Sequence, residues 1–184
     1  MPRRPRAFLE NEGIFHVTAR GAGGCLIYEE DLDRLDFTDL FWTAALEFDL
    51  ECIVLCLMGT HYHAVLKARR EQLSAAMHKV NGAYARRFNM RHGRRGNLFE
   101  ARFSSWVVQG ETHLEATIAY VVWNPVRANL RTFPDEWKWT WLEPGRAAIF
   151  QPALARAASS DCPMGQSLRL ARERQGQPRR KRPG

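Results

Sequence analysis

Glu51-Cys-Ile-Val-Leu-Cys-Leu-Met58, followed by Gly59-Thr60 and His61-Tyr-His-Ala-Val-Leu-Lys-Ala68, is the stretch of sequence that decides the fold. The two apolar segments have the length and composition of buried strands, and the pair of residues between them suits a tight turn. We therefore predict an antiparallel hairpin. Because side chains on a strand alternate between its two faces, His61 and His63 are expected to point to the same side of the sheet.

The other elements follow from the spacing of apolar residues on either side of this hairpin. Apolar residues that recur every three or four positions predict amphipathic helices, and clusters of β-branched and aromatic residues predict strands. The predicted order is strand Ile14–Ala19, helix Asp31–Asp49, the two hairpin strands, helix Gln72–Met90, strand Leu98–Val108 and helix Glu111–Trp123. Two strand-helix-strand units that share one antiparallel sheet form a ferredoxin-like α+β fold, to which the last helix is added.

Length and composition indicate one folded domain without a membrane segment. The 184 residues are 45% hydrophobic, and no apolar run approaches the roughly 20 residues that span a bilayer. The basic N-terminus is not followed by the apolar core of a signal peptide, so a cytoplasmic protein is expected. We predict one domain over residues 1–143 and a basic, largely disordered tail over residues 144–184. The four cysteines form no CxxC pair and are expected to be buried free thiols.

The formal charge of +7 is unevenly spread along the chain. Residues 151–184 carry eight Lys and Arg against two acidic residues. In the rest of the chain, the segment 29–51 is acidic and the segment 67–102 is strongly basic, which predicts one negative and one positive surface. Phosphate binding depends on the local field, so this segregation favours a nucleic-acid partner more than the total charge does.

The paired histidines are candidate metal ligands. Imidazole binds Mn²⁺ or Zn²⁺ well, and Mg²⁺ when oxygen atoms complete the coordination. In the last predicted helix, Tyr120 and Asn124 fall on one face away from the apolar stripe, which places a phenol near an amide oxygen. The same residues have ordinary interpretations: hydrogen-bonded strand histidines, a tyrosine at the rim of the core, and an Asn124-Pro125 pair that starts a short helix. Spacing alone leaves both interpretations open.

Two blocks of sequence resemble the motifs of a known family. His61-Tyr-His63 and Tyr120-Val-Val-Trp-Asn124-Pro-Val-Arg-Ala128 are similar to those of the HUH single-tyrosine transposases (IS200-like), and most similar to the REP-associated tyrosine transposase branch. The resemblance covers residues 8–142 and includes Phe15-His-Val-Thr-Ala-Arg-Gly21 and Tyr84-Ala-Arg-Arg-Phe-Asn89. The family commonly has Pro-Asn where this chain has Gly59-Thr60. This departure removes none of the motif residues and bears on the DNA sequence that is recognised.

The resemblance implies a transposase mechanism with assigned roles. His61, His63 and Asn124 would hold Mg²⁺ or Mn²⁺, and Tyr120 would attack a phosphodiester, which leaves a free 3′-hydroxyl and a 5′-phosphotyrosine bond. It further implies single-stranded DNA with hairpins as substrate, a bacterial, nucleoid-associated location, and action as a monomer or as a homodimer. Two other classes stay open: a domesticated regulator that binds hairpin DNA or RNA without turnover, and a metal hydrolase whose nucleophile is water.

Basic residues are the predicted DNA contacts, because they pair with phosphates. His16, His78, His92 and His113 are instead expected to be structural or surface residues. The candidate phosphate contacts are Arg3, Arg4, Arg6, Arg20, Lys79, Arg86, Arg87, Arg91, Arg94, Arg95, Arg102 and Arg127.

Overall fold

The computed structural model describes residues 12–146, which form a five-stranded antiparallel sheet with helices on both faces. The strand order is β4-β1-β3-β2-β5. The elements are β1 (Glu12–Arg20), α1 (Asp31–Glu47), β2 (Glu51–Leu57), β3 (His61–Arg69), α2 (Arg70–Arg91), β4 (Ser104–Val108), α3 (Glu111–Val122), α4 (Asn124–Arg127) and β5 (Thr140–Leu142), with 3₁₀ turns at Ala22–Gly24 and Pro134–Glu136. The predicted ferredoxin-like α+β fold, with an added helix after the fourth strand, is confirmed.

The predicted hairpin lies at the centre of the sheet. β2 and β3 pair antiparallel, with Cys56 opposite His63, and β1 pairs with the other edge of β3, with Thr18 opposite His63. Helices cover both faces of this central strand, which is why Tyr62 and His63, whose side chains point to opposite faces, are both buried.

The two faces of β3 serve different purposes. On one face, the Tyr62 ring packs against Phe37 of α1 with 4.8 Å between ring centroids, and its hydroxyl donates a 3.0 Å hydrogen bond to Asn81 of α2. Residues one position along the strand face the opposite way, where α3 crosses the sheet. This second face carries the chemistry described below.

Helices α1 and α2 lie side by side, and their opposite charges meet at the seam between them. Arg87 contacts Asp36 at 2.7 Å, and Arg91 contacts the buried Asp33 at 2.7 Å. The expectation of separate negative and positive surfaces is therefore wrong in part, because much of the acidic charge of α1 neutralises basic charge on α2. Sequence segregation of charge does not reveal which elements become neighbours.

The predicted strand over residues 98–108 is shorter in the structure, where β4 begins at Ser104. Thr18 lies opposite Ser104, and Gly21 lies opposite Phe99 in an isolated bridge. β1 therefore advances three residues while the other segment advances five, so that two extra residues bulge out and the ladder breaks. β5 was not predicted as a strand; it pairs with β2 through Leu55 opposite Trp141.

Parts of the sequence-based expectations lie outside the described residues. These are Arg3, Arg4 and Arg6 at the start of the chain and nearly all of the predicted tail, since the description ends at Arg146. Between residues 12 and 146, none of the helices has the length and apolar character needed to cross a bilayer. In the same range Cys25, Cys52 and Cys56 are free thiols.

Candidate active site

The site forms where the first residues of β3 meet β1 and the end of α3. His61 and His63 lie on the same face of β3, with 4.9 Å between their ring centroids. His63 is only 6% exposed, and His61 is half-buried at the sheet end. The Nδ1 atom of His61 lies 3.0 Å from the Thr60 hydroxyl of the hairpin turn. The alternation of strand side chains thus brings the two imidazoles together as predicted.

Asn124 reaches the same point from the other side of the site. α3 ends at Val122, and the chain starts the short helix α4 at Asn124, with Pro125 in its first turn. The change of direction points the Asn124 side chain inward, where its Nδ2 lies 3.2 Å from Nε2 of His63. Asn124 therefore starts a new helix, as the ordinary interpretation predicts, and its amide also faces His63, as a role in the site requires.

Tyr120 lies one helical turn before Asn124, and its ring stands at the mouth of the site. The side chain is 46% exposed, and its ring centroid is 5.6 Å from that of His63 in an edge-on arrangement. The Arg127 guanidinium lies 4.3 Å from the centre of the Tyr120 ring and also donates a hydrogen bond to the Tyr120 carbonyl. The phenol is therefore accessible to a large substrate, with a positive charge directly beside it.

His16 of β1 completes the cluster, although its sequence context predicts a structural or surface residue. Its Nε2 lies 3.0 Å from Nδ1 of His63, and the two rings stack with 5.1 Å between centroids. Ile14, His16 and Thr18 are two residues apart along β1, which predicts that their side chains share one face of the sheet. This spacing shows that His16 contacts His63 only once the pairing of β1 with β3 is known.

An open cleft of about 520 Å³ lies over these residues. His16, His63, Tyr120 and the exposed Trp106 line it, together with the α3 residue Thr117. The indole of Trp106 stands 5.8 Å from the His16 ring. An aromatic surface next to a cationic rim is suited to a strand whose bases stack and whose phosphates are charged.

Burial keeps the imidazoles of the site uncharged. It is the main cause that lowers the pKa of His63 to about 3, and the charges of His61, His16 and Arg127 lower it further. Burial also lowers the pKa of His16 and of His61, with Arg20 as a further cause for His61. At neutral pH each ring therefore has a nitrogen lone pair that is free of a proton, as metal ligation requires.

The donor set of the site fits a divalent cation. Two neutral imidazoles and one amide converge, and His63 and Asn124 are both buried. The amide carries an acceptor oxygen as well as donor hydrogens, so it can bond to a free imidazole or offer its oxygen to a metal. His61, His63 and Asn124 are the residues that would hold such an ion.

A second cluster, Glu30, Asp33 and His92, has the spacing of a metal site but a different role. Asp33 is fully buried and accepts hydrogen bonds from the backbone of Glu29 and Glu30, from Arg91, and from His92. Its lone pairs already have these partners, and a cation would have to displace Arg91. We interpret the cluster as the anchor that joins the start of α1 to the end of α2.

The predicted DNA-contact residues fall into groups that differ in their surroundings. Arg20 lies opposite His61 in the β1–β3 pairing, so Arg20 and Arg127 both border the site. Arg94 is held over the Phe88 ring. Arg86, Arg95 and Arg102 are exposed, with no carboxylate in ion-pair contact anywhere in residues 12–146. Lys79, like Arg87 and Arg91, instead forms an ion pair with α1.

Arg86 and Arg102 line a second, larger groove. It measures about 1010 Å³ and lies between α2 and the segment 96–103, on the α2 side of the sheet. Phe99 and Phe103 contribute aromatic surface to it, and Asn89 and Asn97 contribute amides. The groove and the His63 site lie on opposite faces of the sheet, which ends on this side at the edge strand β4.

Comparisons with known proteins bear on the fold and the family of the chain. No curated protein matches the chain. The solved structure of a REP-associated tyrosine transposase bound to a REP hairpin has the same fold, with a TM-score of 0.62 and 13% identity over 83% of this chain and 90% of that one. A structure from Deinococcus radiodurans R1, described as a candidate transposase, gives a TM-score of 0.42 and 21% identity over 67% of this chain and 97% of its own. The family model of IS200-like transposases matches residues 26–124, more than half of the sequence, and the chain therefore belongs to this family of transposase enzymes.

Proposed function

We propose that this transposase cleaves and rejoins hairpin-containing single-stranded DNA, with Tyr120 as the nucleophile. Mg²⁺ or Mn²⁺ would be held by His61, His63 and Asn124. The observation that carries the proposal is the convergence of three groups: the exposed Tyr120 ring is 5.6 Å from that of His63, and the buried Asn124 amide is 3.2 Å from the same imidazole. An accessible phenol next to neutral metal donors has the composition needed for phosphodiester attack.

Tyr120 is the attacking group in the proposed reaction. The phenol loses its proton to water in the open cleft, and its oxygen forms a bond to phosphorus. The bond from phosphorus to the 3′ oxygen breaks, and that oxygen takes up a proton to give a free 3′-hydroxyl. A bound divalent cation supplies positive charge that stabilises the transition state of the phosphate. The phosphotyrosine preserves the bond energy, so a 3′-hydroxyl can reverse the step and join DNA.

Arg127 and Arg20 would position the DNA around the nucleophile. Arg127 lies over the Tyr120 ring, and Arg20 lies opposite His61 in the β1–β3 pairing. Guanidinium groups at these two places would bind phosphates of the same strand near the attacked one. Trp106 and Trp123 are 55% and 42% exposed and offer surfaces on which bases stack.

We place the unpaired nucleotides that adjoin the hairpin in the groove between α2 and the segment 96–103. Arg86 and Arg102 would contact phosphates there, and Phe99 would stack on a base. A strand that runs from the groove to Tyr120 passes the β4 edge, where Trp106 is exposed. A hairpin-bound structure of a protein with the same fold supports the choice of hairpin DNA as substrate.

The proposal is tested with single-stranded oligonucleotides taken from the hairpins that flank the protein's own gene. They are incubated with protein and Mn²⁺ or Mg²⁺, and a denaturing gel is scored for a covalent protein–DNA adduct. We expect an adduct that requires the metal and is absent in Tyr120→Phe. Tyr28→Phe is the matched control, because the buried Tyr28 hydroxyl has no hydrogen-bond partner within residues 12–146.

The outcomes separate the competing functions. Cleavage without an adduct, unchanged in Tyr120→Phe, would replace the proposal with a hydrolase that uses water. Tight hairpin binding without cleavage under either metal would replace it with a binding protein that regulates its target. Size measurement of the DNA complex then decides between action as a monomer and as a homodimer.

A further inference from the structure

His16 has no role in the mechanism above, and it lies outside residues 26–124, the span that the family model matches. We propose that His16 is a positioning residue. It accepts a hydrogen bond from Nδ1–H of His63 and thereby holds that ring with Nε2 bare, facing Asn124, where it would be free to bind a metal. The inference rests on the proposed role of His63 as a metal ligand.

The hydrogen-bond geometry around His63 carries the argument. Its Nδ1 lies 3.0 Å from Nε2 of His16, and its Nε2 lies 3.2 Å from the Asn124 amide nitrogen. Two ring nitrogens in contact share one hydrogen, and a neutral imidazole carries only one. If that hydrogen is on Nδ1 of His63, then Nε2 keeps its lone pair. This lone pair accepts a hydrogen bond from the Asn124 amide when no metal is bound, and it is available to a cation. If His16 were the donor, Nε2 would carry the hydrogen and could not ligate.

In the neighbouring His61, too, one ring nitrogen contacts a protein group. Nδ1 of His61 lies 3.0 Å from the Thr60 hydroxyl, so that in both histidines Nδ1 is engaged by a protein group. Metal-bound histidines usually donate their second N–H to such a partner, which fixes the tautomer and the ring orientation. For His63 this partner is an imidazole from the adjacent strand.

The position of His16 is itself well determined. Strand pairing places it on the face of His63, and its ring stacks on that of His63 at 5.1 Å with 27° between the planes. Trp106 lies on another side at 5.8 Å, and the Tyr120 ring meets it edge-on at 6.0 Å. These contacts restrict the rotation of the His16 ring, so its Nε2 acceptor is held in one place.

The test uses the full-length, DNA-free protein and two readouts. The first is Mn²⁺ binding, followed by electron paramagnetic resonance of the free ion. His16→Phe keeps a ring but removes the acceptor, and we expect it to weaken Mn²⁺ binding about 10- to 100-fold, the usual cost of losing the outer partner of a metal ligand. His16→Gln retains an acceptor and should restore affinity to within a few-fold. Thr38→Val, which removes a buried hydroxyl from α1 on the other face of the sheet, should leave Mn²⁺ affinity unchanged.

The second readout needs no metal. ¹⁵N NMR of the metal-free protein distinguishes protonated from bare ring nitrogens, and His63→Gln identifies the resonances of His63. We expect a protonated Nδ1 and a bare Nε2 in the wild type, and a mixture of tautomers in His16→Phe. A bare Nδ1 in the wild type would overturn the inference. So would unchanged Mn²⁺ affinity in His16→Phe, or a loss as complete as that in His63→Ala, which would make His16 a ligand.

The two proposals fail in different ways. If the wild-type protein binds no Mn²⁺, the metal site of the proposed function is wrong, while the tautomer of His63 still decides whether His16 orients it. If Mn²⁺ binds and the tautomer differs from expectation, only the role of His16 is wrong.

Discussion

Asn124→Ala is the substitution that best separates a metal ligand from a structural hydrogen bond. The Asn124 amide lies 3.2 Å from Nε2 of His63, and both side chains are buried. If the amide serves only to satisfy the imidazole, its removal should affect folding and little else. If it is a ligand, metal affinity should fall far more than stability does.

The two effects have different expected sizes. A net hydrogen bond contributes about 1 kcal/mol, and leaving a buried polar atom without a partner costs about 1–3 kcal/mol. His63 lines an open cleft, and water that enters the space left by the amide would partly replace the lost hydrogen bond, so the stability loss in Asn124→Ala should be about 1–2 kcal/mol. Loss of a direct ligand should weaken Mn²⁺ binding by more than about 100-fold, since losing an outer partner of a ligand already costs 10- to 100-fold.

Asn81→Ala provides the matched control. Asn81 accepts a 3.0 Å hydrogen bond from the buried Tyr62, on the opposite face of the same strand. Its loss should cost a similar 1–3 kcal/mol in urea denaturation, and it should leave Mn²⁺ affinity in DNA-free protein unchanged. Equal Mn²⁺ affinity in Asn124→Ala and Asn81→Ala would refute the reasoning and remove Asn124 from the ligand set.

Three further perturbations test other parts of the account. Arg102→Ala should weaken single-stranded DNA binding and reduce the slope of log affinity against log salt concentration by about one. Arg87→Ala should leave that slope unchanged, because the charge of Arg87 is paired with Asp36. Fluorescence anisotropy over a salt series measures both slopes, and equal slopes would contradict the assignment of the groove to DNA binding. Phe37→Ala should lower the free energy of unfolding by about 3–5 kcal/mol, because the ring packs against Tyr28, Tyr62 and Tyr84. Urea denaturation measures this loss, and a value below about 1 kcal/mol would show that the core repacks freely around the missing ring. Burial acts to raise the pKa of Asp33, but hydrogen bonds from His92, the Glu30 backbone and Arg91 outweigh burial, and the pKa is lowered. The ionised Asp33 therefore stabilises the fold above its ordinary pKa of 3.8, and this stabilisation is lost as the pH falls below that value. Asp33→Asn should flatten the fall in stability at acid pH, and an unchanged fall would assign it to other groups.

Local sequence patterns were sufficient to predict the elements that position the histidines. The apolar segments on either side of Gly59-Thr60 predict the hairpin, and a period of two places His61 and His63 on one face. The helix that carries Tyr120 follows from its apolar spacing in the same way. These features depend on residues close together in the chain, which is why they could be predicted.

Features that depend on distant parts of the chain could not be predicted in this way. His16 meets His63 through strand pairing across 47 residues, and no local pattern encodes that neighbour. The acidic and basic segments were expected to form separate surfaces, but α1 and α2 are adjacent and Arg91 binds Asp33. The break before β4 depends on how many residues each of two paired segments contributes.

The central claim is that Tyr120 itself becomes bonded to the 5′ end of cleaved DNA. The most direct measurement is mass spectrometry of the protease-digested adduct formed on a hairpin oligonucleotide with Mn²⁺. We predict one modified peptide, with a nucleotide joined through its 5′-phosphate to Tyr120 and a free 3′-hydroxyl on the released fragment. Modification of any other residue, or cleaved DNA that carries a free 5′-phosphate and no peptide, would contradict it.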